Sequence, residues 1–220
     1  MVDASKQPYL TLNTGYKIPA IGLGTFQAEK GKIAEIIKKA ILVDGYRHID
    51  CAMLYGNEEE IGVALKECFA AGIKREDLFI TCKLWHTEKN DVEGAVNASL
   101  KRLQLDYLDL YLIHWIWPGV EYGDGSALPK FLSPPTHVVW KHMEEQVKKG
   151  KIRSIGISNA SVPVLLDLIA GCEIHPAVNQ IEVHPYFQQT ALIEVHRKFN
   201  VLVQCYAAIC RGSNEAIGKA

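Results

Sequence analysis

The stretch LFITCKLWHTEKNDVEGAVNASLKRLQLDYLDLYLIH, residues 78–114, places an amphipathic run between two short apolar runs. The apolar runs, LFITCKL and LDLYLIH, carry Leu and Ile on both parities, which indicates strands buried on both faces. The run between them, DVEGAVNASLKRLQL, has the apolar spacing of a helix. A strand, a helix and a strand in this order predict two parallel strands joined by a right-handed crossover.

The same alternation continues along the rest of the chain. Further strand-like runs lie at 20–25, 46–52, 152–158, 177–183 and 201–207. Further amphipathic runs lie at 32–43, 57–71, 136–149 and 161–170. Seven strand-helix repeats, preceded by a short hairpin at residues 9–18, predict a parallel α/β sheet that curls toward a barrel, with the hairpin covering its N-terminal end.

The composition indicates one globular domain covering residues 1–220. The chain is 48% hydrophobic with a net charge of -1, which is enough apolar material for a sizeable core. The nearly neutral net charge gives no reason to expect a nucleic-acid partner or an anionic membrane surface, and the apolar runs are too short to cross a bilayer.

The N-terminus lacks a signal peptide's apolar core. Six cysteines without a CxxC pair predict reduced thiols, a cytoplasmic location and no metal site.

Four polar residues follow the ends of consecutive strand-like runs. They are Asp50, Tyr55, Lys83 and His114. Because the carboxyl ends of parallel strands meet at one edge, an acid, a phenol, a cation and an imidazole should converge there. Such a set can donate a proton to a carbonyl group.

Each of the four residue types has a distinct expected effect. Tyrosine has an ordinary pKa near 10, and the ammonium of Lys83 should lower the pKa of Tyr55 by stabilising the phenolate. Asp50 is the natural partner of a buried lysine, and His114 could orient a substrate oxygen. The alternatives are a structural Asp-Lys pair and a histidine that only satisfies the core.

The longest connection follows His114 and reads WIWPGVEYGDGSALPKFLSPP, residues 115–135. It lengthens one repeat to more than forty residues, against about 24 to 32 elsewhere. Since it leaves the carboxyl end of a strand, it is expected to border the active site of a barrel; an ordinary surface insertion is the alternative. Aromatic residues near this edge indicate an apolar pocket wall or simple packing of the barrel top, and they are Phe26, Trp85, Trp115 and Trp117.

Several stretches resemble the aldo-keto reductases, and the resemblance covers nearly the whole chain. They are IPAIGLGTF, GYRHIDCAMLYGNEEEIGVAL, KLW, LIHW, IRSIGISN and NQIEVHPYFQQ. The resemblance implies a (β/α)8 TIM barrel and an oxidoreductase that uses NADPH to reduce an aldehyde or ketone to an alcohol. It implies Tyr55 as the general acid, Lys83 and Asp50 as the residues that tune it, and His114 as the residue that orients the carbonyl. Substrate contacts would come from Tyr55, His114 and Trp115.

The resemblance also implies a set of cofactor contacts. These are Gly24, Thr25, Phe26, Asp50, Ser158, Asn159, Gln180 and Tyr206. The amide and hydroxyl groups would suit the carboxamide of NADPH, and Tyr206 would offer a flat face to the nicotinamide ring. The alternatives are a polar helix cap at Ser158-Asn159 and a packed core aromatic at Tyr206. GLGT does not complete a GxGxxG fingerprint, so no Rossmann site is expected.

The sequence departs from the family pattern toward its C-terminus. AAIC follows Tyr206 where the family usually has a Ser-Pro-Leu-Gly-like stretch, and neither an eighth strand nor a basic segment for the 2′-phosphate is recognisable. We therefore expect a barrel that lacks its eighth strand and C-terminal segment, binds NADPH weakly and is a monomer. The alternative to a carbonyl reductase is a truncated, non-catalytic barrel that serves as a binding or scaffold module, or an unstable fragment.

Overall fold

The computed structural model describes residues 7–121 and 130–209. In chain order the strands are β1 (Tyr9–Thr11), β2 (Lys17–Pro19), β3 (Leu23–Gly24), β4 (His48–Asp50), β5 (Phe79–Leu84), β6 (Leu108–Ile113), β7 (Val120–Glu121), β8 (Lys130–Phe131), β9 (Ile152–Ser158), β10 (Val178–Glu182) and β11 (Leu202–Tyr206). The helices are α1 (Ile33–Leu42), α2 (Glu58–Ala70), α3 (Val92–Leu103), α4 (Thr136–Lys148), α5 (Val162–Gly171) and α6 (Thr190–Lys198). None of these helices is long and apolar enough to cross a membrane.

The main sheet is parallel throughout and has the spatial order β3-β4-β5-β6-β9-β10-β11. It curls with its helices into an incomplete (β/α)8 barrel, which confirms the fold class expected from the sequence. Within the described residues, β3 and β11 are the two edges of this sheet and do not pair with each other. The C-terminal NEAIGKA stretch, expected to be helical, lies outside those residues.

The main core lies between the sheet and the helices. Strands β5 and β6 are buried at all six of their positions, and Leu65 of α2, Leu100 of α3 and Trp140 of α4 pack against this layer. Each fully buried Leu or Ile side chain stabilises the fold by roughly 1.5–3 kcal/mol. Helices α2 and α3 meet closely, because a Cβ atom at Gly62 would lie 2.3 Å from the carbonyl oxygen of Arg102.

The hairpin of β1 and β2 closes the end of the sheet where the strands begin. Leu12 and Ile18 join a smaller apolar cluster with Phe79 and Leu110, inside the curl of the sheet. The hairpin turn is fixed by two side chains, since Asn13 donates to the carbonyl of Pro176 and Thr14 bonds Ser154. The hairpin therefore lies over the N-terminal end, as expected, and the loops that carry polar side chains lie at the opposite end.

Two elements were missed by the sequence patterns. Helix α6 places Ala191, Leu192 and Ile193 side by side, which blurs the helical spacing, and only His196 in it is buried. The long connection after β6 contains a short antiparallel hairpin, with Val120 opposite Phe131 and Glu121 opposite Lys130. Both elements lie on the outside of the fold, where apolar periodicity is weakest.

Candidate active site

The four strand-end residues meet at the carboxyl edge of the sheet. Asp50 ends β4, Lys83 lies in β5, His114 directly follows β6, and Tyr55 closes the 3-10 turn Met53–Tyr55. The Lys83 ammonium makes an ion pair with Asp50 and donates to the Tyr55 hydroxyl at 3.1 Å. It also donates to the backbone carbonyl of Cys51 at 2.9 Å. One buried ammonium therefore contacts the carboxylate and the phenol together.

The electrostatics of Lys83 are set by burial and by its partners. The side chain has no solvent-exposed surface, and burial alone would lower its pKa. The Asp50 carboxylate and the Tyr55 oxygen oppose this and raise the pKa of Lys83 above its ordinary value. The lysine is therefore a fixed cation at neutral pH.

The phenol of Tyr55 differs from the sequence-based expectation. Burial raises its pKa above the ordinary value, and the nearby Lys83 ammonium offsets only part of that rise. The expectation of a lowered pKa in the free protein was wrong, because desolvation of a phenolate outweighs the attraction of the cation. Tyr55 is therefore protonated at neutral pH, with a cation already placed beside the oxygen that would become negative.

His114 is held as a neutral imidazole. Burial, helped by the charge of Lys83, lowers its pKa to about 4. Its ring stands edge-on to Tyr55 with centroids 5.8 Å apart and to Trp85 at 5.1 Å. Among the described residues, its Nδ1 atom is buried and has no hydrogen-bond partner. An unsatisfied buried polar atom is uncommon in a folded protein and distinguishes this histidine from one that only satisfies the core.

The Asp50 carboxylate also joins the two halves of the sheet. Its second oxygen accepts a hydrogen bond from the Gln180 amide at 2.7 Å, across 130 residues of sequence. The backbone carbonyl of Asp50 accepts a hydrogen bond from the Thr25 hydroxyl at 2.9 Å. The Asn57 side-chain amide in turn donates to the backbone carbonyl of Thr25. Thr25 and Gln180, both expected at the cofactor site, thus contact Asp50, through its backbone carbonyl and its carboxylate respectively.

Three further expected cofactor residues, Ser158, Asn159 and Tyr206, form one hydrogen-bonded chain with Gln180. The Ser158 hydroxyl donates to the Gln180 carbonyl at 2.8 Å, and the Asn159 amide donates to the His114 carbonyl at 3.1 Å. Tyr206 donates from its hydroxyl to the Asn159 side-chain oxygen at 2.8 Å. Asn159 has a left-handed backbone, with φ of 57°, which asparagine tolerates better than most residues.

The alternative interpretations of these residues do not fit the structure. Helix α5 has Ser161 at its N-cap position, so Ser158 and Asn159 do not cap it. Tyr206 is half-buried at the end of β11 rather than enclosed in the core. Ser158 is almost fully buried, so Asn159 and Tyr206 are the two of these residues that keep some exposed surface.

Strand β3 and the segment that follows it border the site on its open side. Gly24 pairs with Asp50, and a Cβ atom placed on it would meet nothing within 4 Å. Phe26 is 54% exposed, and its ring centroid lies 5.1 Å from that of Tyr55. The phenol is therefore flanked by an aromatic ring on the open side.

Sequence reasoning missed one buried cation near this edge. Lys89, in the turn after β5, donates to the carbonyls of Trp115 at 2.7 Å and Trp117 at 2.8 Å. Its neighbour His86 stacks on Trp117, with ring centroids 5.9 Å apart. The polar stretch HTEKN carries no periodicity, so nothing in the pattern distinguished this lysine from a solvated one.

Comparison with known proteins shows the family of this chain. The model of the aldo/keto reductase family matches residues 20–216. The chain belongs to the aldo/keto reductase family. Aldo-keto reductase family 4 member C11 from Arabidopsis thaliana is 44% identical over 205 residues, covering 91% of this chain and 64% of that protein. The solved aldose reductase from Schistosoma japonicum has a TM-score of 0.86 and 38% identity, covering 96% of this chain and 73% of its own.

The name of a second curated relative includes a cofactor. NADP-dependent D-sorbitol-6-phosphate dehydrogenase from Malus domestica is 41% identical over 203 residues, covering 88% of this chain and 65% of that protein. This aldo/keto reductase chain thus spans less than two thirds of the length of both curated relatives.

The polar groups of the site suit the nicotinamide cofactor that the aldo/keto reductase family uses. A primary carboxamide needs both donors and acceptors, and Ser158, Asn159 and Gln180 offer hydroxyl and amide groups at adjacent strand ends. The Tyr206 ring stands beside them, hydrogen-bonded to Asn159.

Proposed function

We propose that this chain carries the active site of an NADPH-dependent reductase that converts an aldehyde or ketone to an alcohol. The observation that carries the proposal is the contact between the Lys83 ammonium and the Tyr55 hydroxyl, at 3.1 Å, next to His114. A bound nicotinamide cofactor supplies the hydride for such a reduction. The protein must then deliver a proton to the carbonyl oxygen and hold the substrate beside it.

Tyr55 is the proposed proton donor. Its raised pKa keeps the proton on the phenol at neutral pH, so the acid is in the protonated form that donation requires. When the proton leaves, negative charge develops on an oxygen that already accepts a hydrogen bond from Lys83. The ammonium therefore stabilises the product state of the proton transfer more than the starting state, as transition-state stabilisation requires.

Asp50 and Gln180 are proposed to hold Lys83 in place. The carboxylate pairs with the ammonium through one oxygen and accepts from Gln180 through the other. Both oxygens are thereby engaged, which keeps the carboxylate from rotating away. A lysine fixed in this manner loses little freedom when the phenolate forms.

His114 is proposed to orient the substrate carbonyl. A neutral imidazole can donate a hydrogen bond to that oxygen without adding a second positive charge beside Lys83. Its low pKa, about 4, ensures that the ring remains neutral across the physiological range. Phe26 and Trp115 are then available as apolar walls, and Trp115 would complete the proposed substrate contacts.

Ser158, Asn159, Gln180 and Tyr206 are proposed to bind the nicotinamide end of the cofactor. The hydrogen bonds that they make to one another fix their side chains before any ligand arrives, and preorganisation of this kind lowers the entropic cost of binding. The presence of an NADP-dependent relative at 41% identity supports NADPH over NADH.

The activity test uses the purified chain with NADPH and a panel of aliphatic and aromatic aldehydes, followed by loss of cofactor absorbance. We expect aldehyde-dependent oxidation of NADPH that Tyr55→Phe slows by roughly 10²–10⁴-fold. Residual activity equal in the two proteins would contradict the assigned proton donor.

A non-catalytic binding module is the second candidate, favoured by the open edges of β3 and β11 in the described sheet. Saturable NADPH binding in a fluorescence titration, without aldehyde turnover, would favour this candidate. Binding together with turnover would eliminate it.

A further inference from the structure

The turn after β5 holds both limbs of the long connection that follows β6. Lys89 donates to the carbonyls of Trp115 and Trp117 on the outgoing limb. Asn90 donates to the carbonyl of Leu132 on the returning limb at 2.9 Å. Two adjacent side chains therefore fasten the connection to the edge of the proposed active site.

Lys89 is a buried cation at a position that an apolar side chain of similar size could occupy. Its side chain is 2% exposed, and its hydrogen bonds within the described chain go to the two backbone carbonyls rather than to a carboxylate. Burial without an anionic partner lowers the pKa of Lys89 to about 8. Since a buried cation is costly and an apolar side chain of similar size is not, the lysine is best explained by the segment it holds.

Trp117, in the segment that Lys89 holds, is the last of a row of four rings that begins at His114. The centroids of His114 and Trp85 are 5.1 Å apart, those of Trp85 and His86 4.5 Å, and those of His86 and Trp117 5.9 Å. His86 and Trp117 lie nearly parallel, at 26°. Trp117 is 46% exposed, so one part of its ring packs on His86 while the rest faces outward.

We propose that Lys89 is a positioning residue for substrate selectivity, which locks Trp115–Trp117 so that the His86-Trp117 stack favours carbonyl substrates bearing a flat aromatic group. The inference rests on the proposed carbonyl reductase activity. Without the two hydrogen bonds, the segment loses its attachment to the turn, and the outer end of the ring row moves away from His114. A compact aliphatic aldehyde would contact Trp115 beside His114 but would not extend to the His86-Trp117 stack, so its KM should change less.

The kinetic test compares Lys89→Met with the control Lys66→Met, which removes an exposed lysine on α2. In the full chain, Lys89→Met should raise KM for 4-nitrobenzaldehyde roughly tenfold more than KM for propanal, as expected when charge-assisted hydrogen bonds are lost. The effect should fall on KM rather than on kcat, and the control should match the unmodified protein. Equal KM changes for the two aldehydes would overturn the proposal.

A second measurement does not depend on activity. Acrylamide quenching of tryptophan fluorescence should increase in Lys89→Met, and the increase should shrink in a Trp117→Phe background, since Trp140 is buried and contributes a constant signal. Lys89→Gln, which keeps an N–H donor on a shorter side chain, should change quenching in the same direction and replaces Lys89→Met if that variant does not unfold cooperatively. Unchanged quenching would refute the positioning role of Lys89, even when no aldehyde is turned over. Increased quenching without turnover would support the positioning role and would count only against the proposed reductase activity.

Discussion

Two clusters, at opposite ends of the same sheet, each combine a tyrosine and a carboxylate with one or two cations. At the carboxyl edge, Tyr55 and Asp50 share Lys83. At the hairpin end, Asp109 near the start of β6 pairs with Arg75 at 2.7 Å and with Arg153 at 3.1 Å, close to Tyr107. Residue types alone would make both clusters candidate sites for acid chemistry.

The difference lies in how the cation meets the phenol. The Lys83 ammonium lies 4.8 Å from the centroid of the Tyr55 ring and also donates a hydrogen bond to the Tyr55 oxygen. The guanidinium carbons of Arg75 and Arg153 instead lie 3.9 Å from the centroid of the Tyr107 ring, and among the described residues the Tyr107 hydroxyl is buried with no partner. A cation over a ring face stabilises packing, whereas a cation bonded to the oxygen stabilises the phenolate.

The largest expected effect separates the two tyrosines. Tyr55→Phe should lower kcat by roughly 10²–10⁴-fold, the usual contribution of a general acid, with NADPH affinity nearly unchanged. Tyr107→Phe should leave kcat close to that of the unmodified protein, because its hydroxyl bonds to neither arginine. Steady-state kinetics and a cofactor fluorescence titration on both variants provide the measurement, and a comparable loss of kcat in both would erase the distinction.

The hairpin-end cluster should matter for stability instead. Asp109→Ala leaves two partly buried guanidinium groups without their carboxylate and also removes the acceptor of the Ile80 backbone N–H. We expect a loss of about 3 kcal/mol in the free energy of unfolding, measured by urea denaturation. Glu93→Ala, which removes an exposed carboxylate from Lys149 and Lys151, is the control and should cost far less. Equal losses would mean that burial does not distinguish these ion pairs.

His48, in the same strand as Asp50, should make the free energy of unfolding depend on pH. His48 begins β4, which ends at Asp50, and burial lowers the pKa of His48 to about 4. The unfolded chain takes up this proton near pH 6.5, while the folded chain resists until about pH 4, so stability is full above 6.5 and declines as the pH falls between these values. At pH 5 His48 should account for about 2 kcal/mol of lost stability.

Urea unfolding at pH 7.5 and pH 5 measures this decline. His48→Gln should make it shallower, while His142→Gln on the exposed face of α4 should not. An unaltered slope in His48→Gln would show that other groups dominate the acid sensitivity.

The smallest expected effect concerns the cofactor edge. Asn159→Ala removes the side-chain bonds to Tyr206 and to the His114 carbonyl, which should weaken NADPH binding by roughly two- to tenfold. Gln189→Ala is a matched control, because Gln189 shares the left-handed backbone, with φ of 52°, but precedes α6. If both variants lose affinity equally, backbone strain rather than the hydrogen-bonded chain is responsible.

The sequence predicted the features that depend on strand order. Parallel strands place their ends at one edge, so Asp50, Lys83 and His114 could be grouped before any coordinates. The raised pKa of Tyr55 could not be predicted, because it depends on how much water the fold removes. Lys89 and the Asp109 cluster were also missed, since their partners are backbone carbonyls and side chains of residues distant in the sequence, which leave no local pattern.

The hydrogen bond between Gln180 and Asp50 has a consequence for the order of folding. Contacts between residues so far apart in sequence form late, since much loop entropy must be lost first. Asp50 and Lys83 can pair once β4 and β5 have met, but the carboxylate acquires its second partner only when β10 docks. We expect the complete site to be among the last parts of the molecule to assemble, so that catalytic competence reports on the end of folding rather than on its beginning.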